Sequence, residues 1–223
     1  MTQIDTLDDL LSTRFSCRAF TSQSVPRGQI EHIVNVAKKA PSWCNAQPWQ
    51  VTVTESDATD RFRKALMAEV NAGSPKLDLS GPEDYPGVYG ERRRTVGWQL
   101  YDAVGVQKGD RAGSAEQMMR NFALFDAPHV AILTSPKALG PYGAMDSGGF
   151  VLAFTLAARA LGIDTIPQAA VANYAGFVRD YFGIGDDRIM LCAISFGYGD
   201  PDHPANSFRT ERAGLADIVT WYT

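Results

Sequence analysis

An α+β fold, in which a small mixed sheet is covered by helices, is predicted by three features of the 223-residue sequence. Short β-branched or apolar runs recur along the chain; segments with apolar residues at helical spacing separate them; Gly and Pro mark the changeovers. The composition, 45% hydrophobic and 21% charged, suits one core, so residues 1–223 are read as a single domain.

The elements follow in order. Between Pro26 and Ala40 the apolar residues Ile30, Ile33, Val34 and Ala37 repeat at helical spacing, with Pro26 suited to a first turn and Pro41 closing the segment. Gln50 to Thr54 alternates Val51 and Val53 with polar residues and reads as a half-exposed strand. Ser56 is expected to cap the next helix, whose stripe is Phe62, Leu66 and Val70 and whose C-terminal glycine is Gly73. Residues 73–90, interrupted by Pro75, Pro82 and Pro86, cannot join a regular ladder, and residues 73–94 are read as an excursion. Helices are expected around Arg92–Val104 and Ala115–Leu124, then a buried strand in HVAILTS between Pro128 and Pro136. The segment Gly143–Leu161 has few polar positions, which places it at the molecular centre or at a subunit interface. DTIPQAAV, a short helix near Tyr174–Phe182 and RIMLCAISFGYG complete the alternation.

A net charge of −4 argues against a nucleic-acid partner. Cys17, Cys44 and Cys192 are an odd count without zinc spacing, as expected of reduced thiols in the cytoplasm. The acidic start MTQIDTLDDLLSTRF lacks the basic region of a secretory signal, and no apolar run reaches the ~20 residues of a membrane span. His32, His129 and His203 share no metal-ligand spacing and are read as surface or structural residues. GYGDP lacks the GxGxxG of a dinucleotide fold, and Cys44 has no local basic partner to make it a nucleophile.

Three stretches carry more chemistry than their connections need. In RFSCRAF, an extended chain would put Arg14, Ser16 and Arg18 on one side, as suits an anion. HPANSFRTER offers Asn206, Arg209 and Arg212 after a turn. PSWCNAQPW packs two tryptophans, two prolines, Ser42, Asn45 and Gln47 into nine residues. Taken alone, RFSCRAF is more readily a solvated strand or turn, and HPANSFRTER is as weak a signal.

In this order, RxSxR, PSxxNxQPW and NxxRxxR resemble the nitroreductase family of flavoproteins over almost the whole chain. Ala40, Pro41, Ser42, Asn45, Gln47, Pro48 and Trp49 fit its APSxxNxQPW pattern position for position. The resemblance implies a nitroreductase-like fold and an intertwined homodimer, with one FMN in each of two sites built from both subunits. By the same resemblance Arg14 and Arg209 hold the FMN phosphate, with Phe15 beside them and Ser16 adding a neutral donor. Arg18 faces the flavin edge where reduction places negative charge. Pro41, Ser42, Trp43 and Asn45 approach from the neighbouring subunit, and Asn121 sits at the pyrimidine edge. Pro167, Gln168 and Ala169 form the strand end facing flavin N5, with main-chain donation alone carried over. Trp49 is divided between core packing and cofactor support, and Arg212 is optional.

The implied function is an FMN-dependent oxidoreductase that passes a hydride from NADH or NADPH through bound FMN to a nitroaromatic, quinone or similar flat acceptor. Donor and acceptor use one flavin face in turn, a ping-pong cycle in which no catalytic side chain is needed. A flavin carrier or sensor without turnover, or a reductive dehalogenase-like flavoenzyme, stands as the alternative. Arg92, Arg93 and Arg94 end the excursion; one of them turned inward would draw anionic acceptors, whereas a solvated helix start is the plainer reading.

Overall fold

The structure is a computed structural model and describes residues 2–223. Its helices are α1 (Gln3–Thr13), α2 (Arg27–Ala37), α3 (Asp57–Ala72), α4 (Val88–Ala103), α5 (Arg111–Met119), α6 (Gly140–Ala160) and α7 (Ala175–Phe182). The strands β1 (Gln50–Thr54), β2 (His129–Pro136), β3 (Asp164–Gln168) and β4 (Arg188–Gly197) form one sheet in the order β1-β2-β4-β3. The sheet expected to be mixed is antiparallel at every strand pair. Its parallel element is reduced to an isolated bridge, Ser16 to Thr165, which lays the RFSCR segment along the edge of β3.

Alternation along β2 explains the layering. Ala131 and Leu133 face one side, where α2 and α6 contribute Ile30, Ile33, Phe150 and Phe154. Val130 and Ile132 face the other, against Phe62 and Leu66 of α3 and Val178 of α7. A strand covered on both faces reads as a continuous apolar run, which is why HVAILTS lacks a period-two pattern. β1 has a partner on one side only and leaves an edge free.

The first long helix, β1 and the Gly73 C-cap, left-handed at φ 74°, stand where the sequence places them. Ser56 occupies the N-cap position of α3, but its backbone is twisted to φ 50° and its side chain caps nothing. The irregular stretch ends earlier than expected, because α4 begins at Val88 and takes in all three arginines. Gly90 is the one buried residue of α4, so this helix stands off the core.

Helix α6 is buried along one face and exposed along the other. Gly143, Ser147, Phe150, Phe154 and Ala157 are buried, whereas Tyr142, Met145 and Leu152 project from the opposite face. Among the described residues no helix is long and apolar enough to cross a membrane.

His129 has a structural role. It is buried, stacks on Phe196 at 5.1 Å, accepts the Val25 N–H at Nε2 (2.9 Å) and places Nδ1 3.2 Å from the Thr54 carbonyl. Both contacts are satisfied only by the neutral Nδ1–H tautomer. Burial holds the imidazole pKa below its ordinary value, the Thr54 carbonyl and Glu55 opposing weakly. The unfolded chain therefore binds the proton first: His129 contributes stability in full above the unfolded-state pKa near 6.5, and loses it as pH falls from there towards the folded-state value. Unfolding free energies of FMN-saturated protein from urea melts between pH 7.5 and 5 should fall less steeply in His129→Gln, by at most ~1.4 kcal/mol per pH unit, the slope of one proton. Identical slopes would show that His129 titrates normally.

Candidate active site

The two chain ends meet at an arginine-rich edge. Arg14 ends α1 in extended backbone, and the Cys17 amide donates to the Thr165 carbonyl (3.1 Å), so residues 14–18 run as a strand-like edge. Cys17 and Ala19 turn inward and are buried, which sends Arg14, Ser16 and Arg18 to the other side. Burial pushes the Cys17 thiol up to about 12, and it stays protonated.

Asn206 ties the C-terminal segment to this edge. Its Oδ1 accepts from the Arg18 amide (2.8 Å), and its Nδ2 donates to the carbonyls of Ala19 (2.9 Å) and Asp200 (2.8 Å). Read from sequence as part of an anion-binding loop, Asn206 is instead a buried brace with its side chain fully engaged. The Asn206 carbonyl in turn accepts from Arg209 Nη1 (2.7 Å), whose guanidinium lies 3.8 Å from the Phe15 ring centroid. The Arg18 guanidinium stands 5.7 Å from the Phe208 ring, a contact that no sequence signal indicated.

Arg14, Arg18, Arg209 and Arg212 gather here and, like several surface arginines, have no carboxylate partner among the described residues. The Arg14 pKa is lowered by burial and by the nearby Arg212, and that of Arg18 by burial. Partly desolvated cations held near one another without counter-charge favour an anion. A phosphate dianion meets that requirement, and the guanidinium donors suit it geometrically.

The end of β3 lies beside this edge. Pro167 and Ala169 are exposed, and Gln168 is buried between them. The Gln168 Oε1 accepts from Ser195 Oγ (2.6 Å), and its Nε2 donates to the Asn121 carbonyl (2.7 Å). Its side chain is thus committed to the interior and leaves only main-chain groups for a ligand. The same bond brings Asn121 to the strand end; the Asn121 side chain itself donates to the Met118 carbonyl (3.2 Å).

The 41–49 stretch stands elsewhere. Pro41, Trp43 and Asn45 are exposed and Ser42 is half-buried. The Trp43 amide donates to Asp146 of α6 (3.1 Å), and its ring meets Tyr142 edge-on at 4.2 Å. Ser42 Oγ accepts from the Gln47 amide (2.9 Å). Cys44, Asn45 and Gln47 all adopt left-handed backbone, at φ 50°, 56° and 48°. Three non-glycine residues in that region within four positions store strain of ~1–3 kcal/mol each, of the kind that gathers at functional sites. Trp49 stacks on Phe150 at 5.4 Å within the core, which decides its role in favour of packing. Among the described residues, no hydrogen bond, ion pair or ring contact joins residues 41–45 to Arg14, Arg18 or Arg209 of the same chain.

Comparison with known proteins bears on the fold and the family. The model of the nitroreductase family matches residues 11–198. The 4-nitrobenzoate reductase of Pseudomonas putida is 31% identical over 93% of this chain and 92% of its own length. Nitroreductase NfnB of Mycolicibacterium smegmatis is 34% identical over 94% of this chain and 90% of its own. A crystal structure of the FMN-dependent nitroreductase NfnB from Mycobacterium smegmatis in complex with NADPH superposes with a TM-score of 0.95 at 32% identity, covering all of both chains. With its three motifs carried on the fold that those relatives share, this chain belongs to the nitroreductase family.

Proposed function

We propose that this protein is an FMN-dependent NAD(P)H oxidoreductase that reduces nitroaromatic or similar flat acceptors, working in the cytoplasm as a homodimer with two shared sites. The observation that carries the reading is the gathering of Arg14, Arg18, Arg209 and Arg212 without counter-charge at the junction of the two chain ends. When bound, FMN supplies the two-electron chemistry that links a nicotinamide donor to an acceptor. Arg14 and Arg209 hold its phosphate, with Ser16 alongside and Phe15 fixing the Arg209 guanidinium. Arg18 presents a positive charge to the ring edge that becomes more negative on reduction. Pro167, Gln168 and Ala169 offer main-chain groups at the strand end, and Asn121 lies next to them. A relative named a 4-nitrobenzoate reductase and an NfnB structure in complex with NADPH support the choice of acceptor and donor.

The test is direct. Purified protein should show an oxidised flavin spectrum, bleach on anaerobic addition of NADPH or NADH, and recover its colour with a nitroaromatic. A flavin that neither nucleotide bleaches would point to a carrier or sensor, and recovery with aryl halides alone to a dehalogenase.

The surfaces that one chain leaves uncovered support shared sites. Tyr142 and Met145 of α6, with Trp43 beside them, form an apolar face more than half exposed, and the free edge of β1 lies open as well. Residues 41–45 reach no FMN-binding residue of their own chain, as expected if they complete the site of a second copy. Light scattering should therefore give a dimer, and Met145→Arg with Leu152→Arg should yield a monomer that loses its flavin. A monomer retaining flavin and activity would rule out shared sites.

A further inference from the structure

The root of the excursion is held by a buried ion pair that flavin binding does not explain. Arg179 of α7 and Asp78 are 5% and 6% exposed at their side chains. Arg179 Nε meets Asp78 Oδ2 at 3.1 Å and Nη2 meets Oδ1 at 3.2 Å, a two-point fork. Asp78 Oδ2 also accepts from the Met190 amide of β4 (2.9 Å), and Arg179 Nη1 donates to the exposed Asp186. Two residues earlier, the Lys76 amide donates to the Asn173 carbonyl (2.9 Å) and its carbonyl accepts from Gly176 (3.0 Å). A Cβ at Gly176 would lie 2.5 Å from Lys76 Cδ, so the lysine stem is laid flat on that glycine.

Residues 76–78 are the last hydrogen-bonded anchor of the chain before α4. Residues 80–86 make no hydrogen bond to the body of the fold. They lead into α4, which lies against the 204–206 turn whose Asn206 braces both Arg18 and Arg209. Helix α4 is thus held from one side by that turn and tethered on the other, through residues 79–87, to residues 76–78. An apolar pair of equal volume would serve stability as well as a buried ion pair, but a bidentate fork fixes direction as well as distance.

We propose that Asp78 and Arg179 are positioning residues for the acceptor: their pairing fixes the start of the excursion, and so the wall that α4 presents to a flat substrate. This rests on the oxidoreductase reading above. It predicts a separation of effects, because neither residue touches the arginines assigned to FMN.

The experiment uses FMN-loaded wild type, Asp78→Asn/Arg179→Met, which keeps an acceptor for the Met190 amide, and Arg179→Lys, which keeps the charge without the fork. Enzyme reduced with dithionite is mixed with 4-nitrobenzoate in a single turnover. The half-saturating concentration should rise about tenfold in the double variant, and less in Arg179→Lys, with the limiting rate and the FMN dissociation constant within about twofold of wild type. Proteolysis within residues 80–87 should accelerate in the same order. Unchanged saturation, undisturbed proteolysis, or flavin affinity, limiting rate and melting temperature falling together would each overturn the proposal, the last by reducing the pair to a structural one. Failure of wild type to reduce 4-nitrobenzoate would instead count against the oxidoreductase reading, and the proteolysis comparison would still decide whether the pair holds the excursion.

Discussion

Replacing Arg209 with alanine is expected to weaken FMN binding by ~1.5–3 kcal/mol, the range for a hydrogen bond to a charged group, or roughly 10- to 150-fold in Kd. Two features refine where in that range each arginine falls. Arg209 is exposed, so solvent screening places its effect at the lower end. Arg14 is half-buried and its charge is disfavoured by burial and by Arg212, so a dianion offsets more there and Arg14→Ala falls at the upper end. The same imbalance predicts a contrast between loaded and empty protein. Without FMN, Arg14→Ala should unfold at no lower denaturant concentration than wild type, because a repulsive cation has been removed. With excess FMN the order should reverse, since wild type gains more from the ligand. Arg209→Lys keeps the charge but loses the fork and the stacking on Phe15, and should lie between wild type and Arg209→Ala. Fluorescence titration of FMN into the four proteins checks all of this; equal dissociation constants would remove both residues from the phosphate site.

Much of this architecture is legible in the sequence because it rests on local rules. The helix over 27–37, the strand 50–54 and the buried run after Pro128 follow from periodicity and punctuation alone. The alternation in RFSCR likewise sorts Cys17 from Arg14, Ser16 and Arg18 without reference to the rest of the fold. What escaped is non-local. The Gln168 bridge to Ser195 and Asn121, the Asn206 brace across 187 positions to Ala19 and the Asp78–Arg179 fork join residues whose separation no short window contains. Strand orientation escaped for the same reason: alternating helices and strands suggest a mixed sheet, but pairing is decided by which strands become neighbours. The strained backbone at Cys44, Asn45 and Gln47 is invisible too, because none of these residues is the glycine that signals left-handed φ.

Arg18→Ala is expected to make the bound cofactor harder to reduce. Reduction adds negative charge at the ring edge, and a cation there stabilises the reduced form more than the oxidised one. The role proposed for Arg18 needs a cation held in place: its amide is fixed by Asn206, its Nη1 donates to the Ser16 carbonyl (3.1 Å), and among the described residues no carboxylate pairs with it. Burial lowers its pKa, a sign that the pocket without an anion does not favour the charge. Loss of an interaction of ~1.5–3 kcal/mol corresponds to ~30–65 mV in a two-electron couple, so the potential should become more negative by that amount. The two half-reactions should then move in opposite directions. Anaerobic reduction by NADPH should slow by about tenfold, the rate equivalent of ~1.4 kcal/mol, while reoxidation by a nitroaromatic should not slow. Arg18→Lys retains a cation and should recover most of the potential, which separates charge from the packing of Arg18 on Phe208. Potentials from equilibration with a reference dye, together with stopped-flow traces of each half-reaction, decide the matter. An unchanged potential with both half-reactions slowed equally would place Arg18 among the residues that merely hold the pocket together.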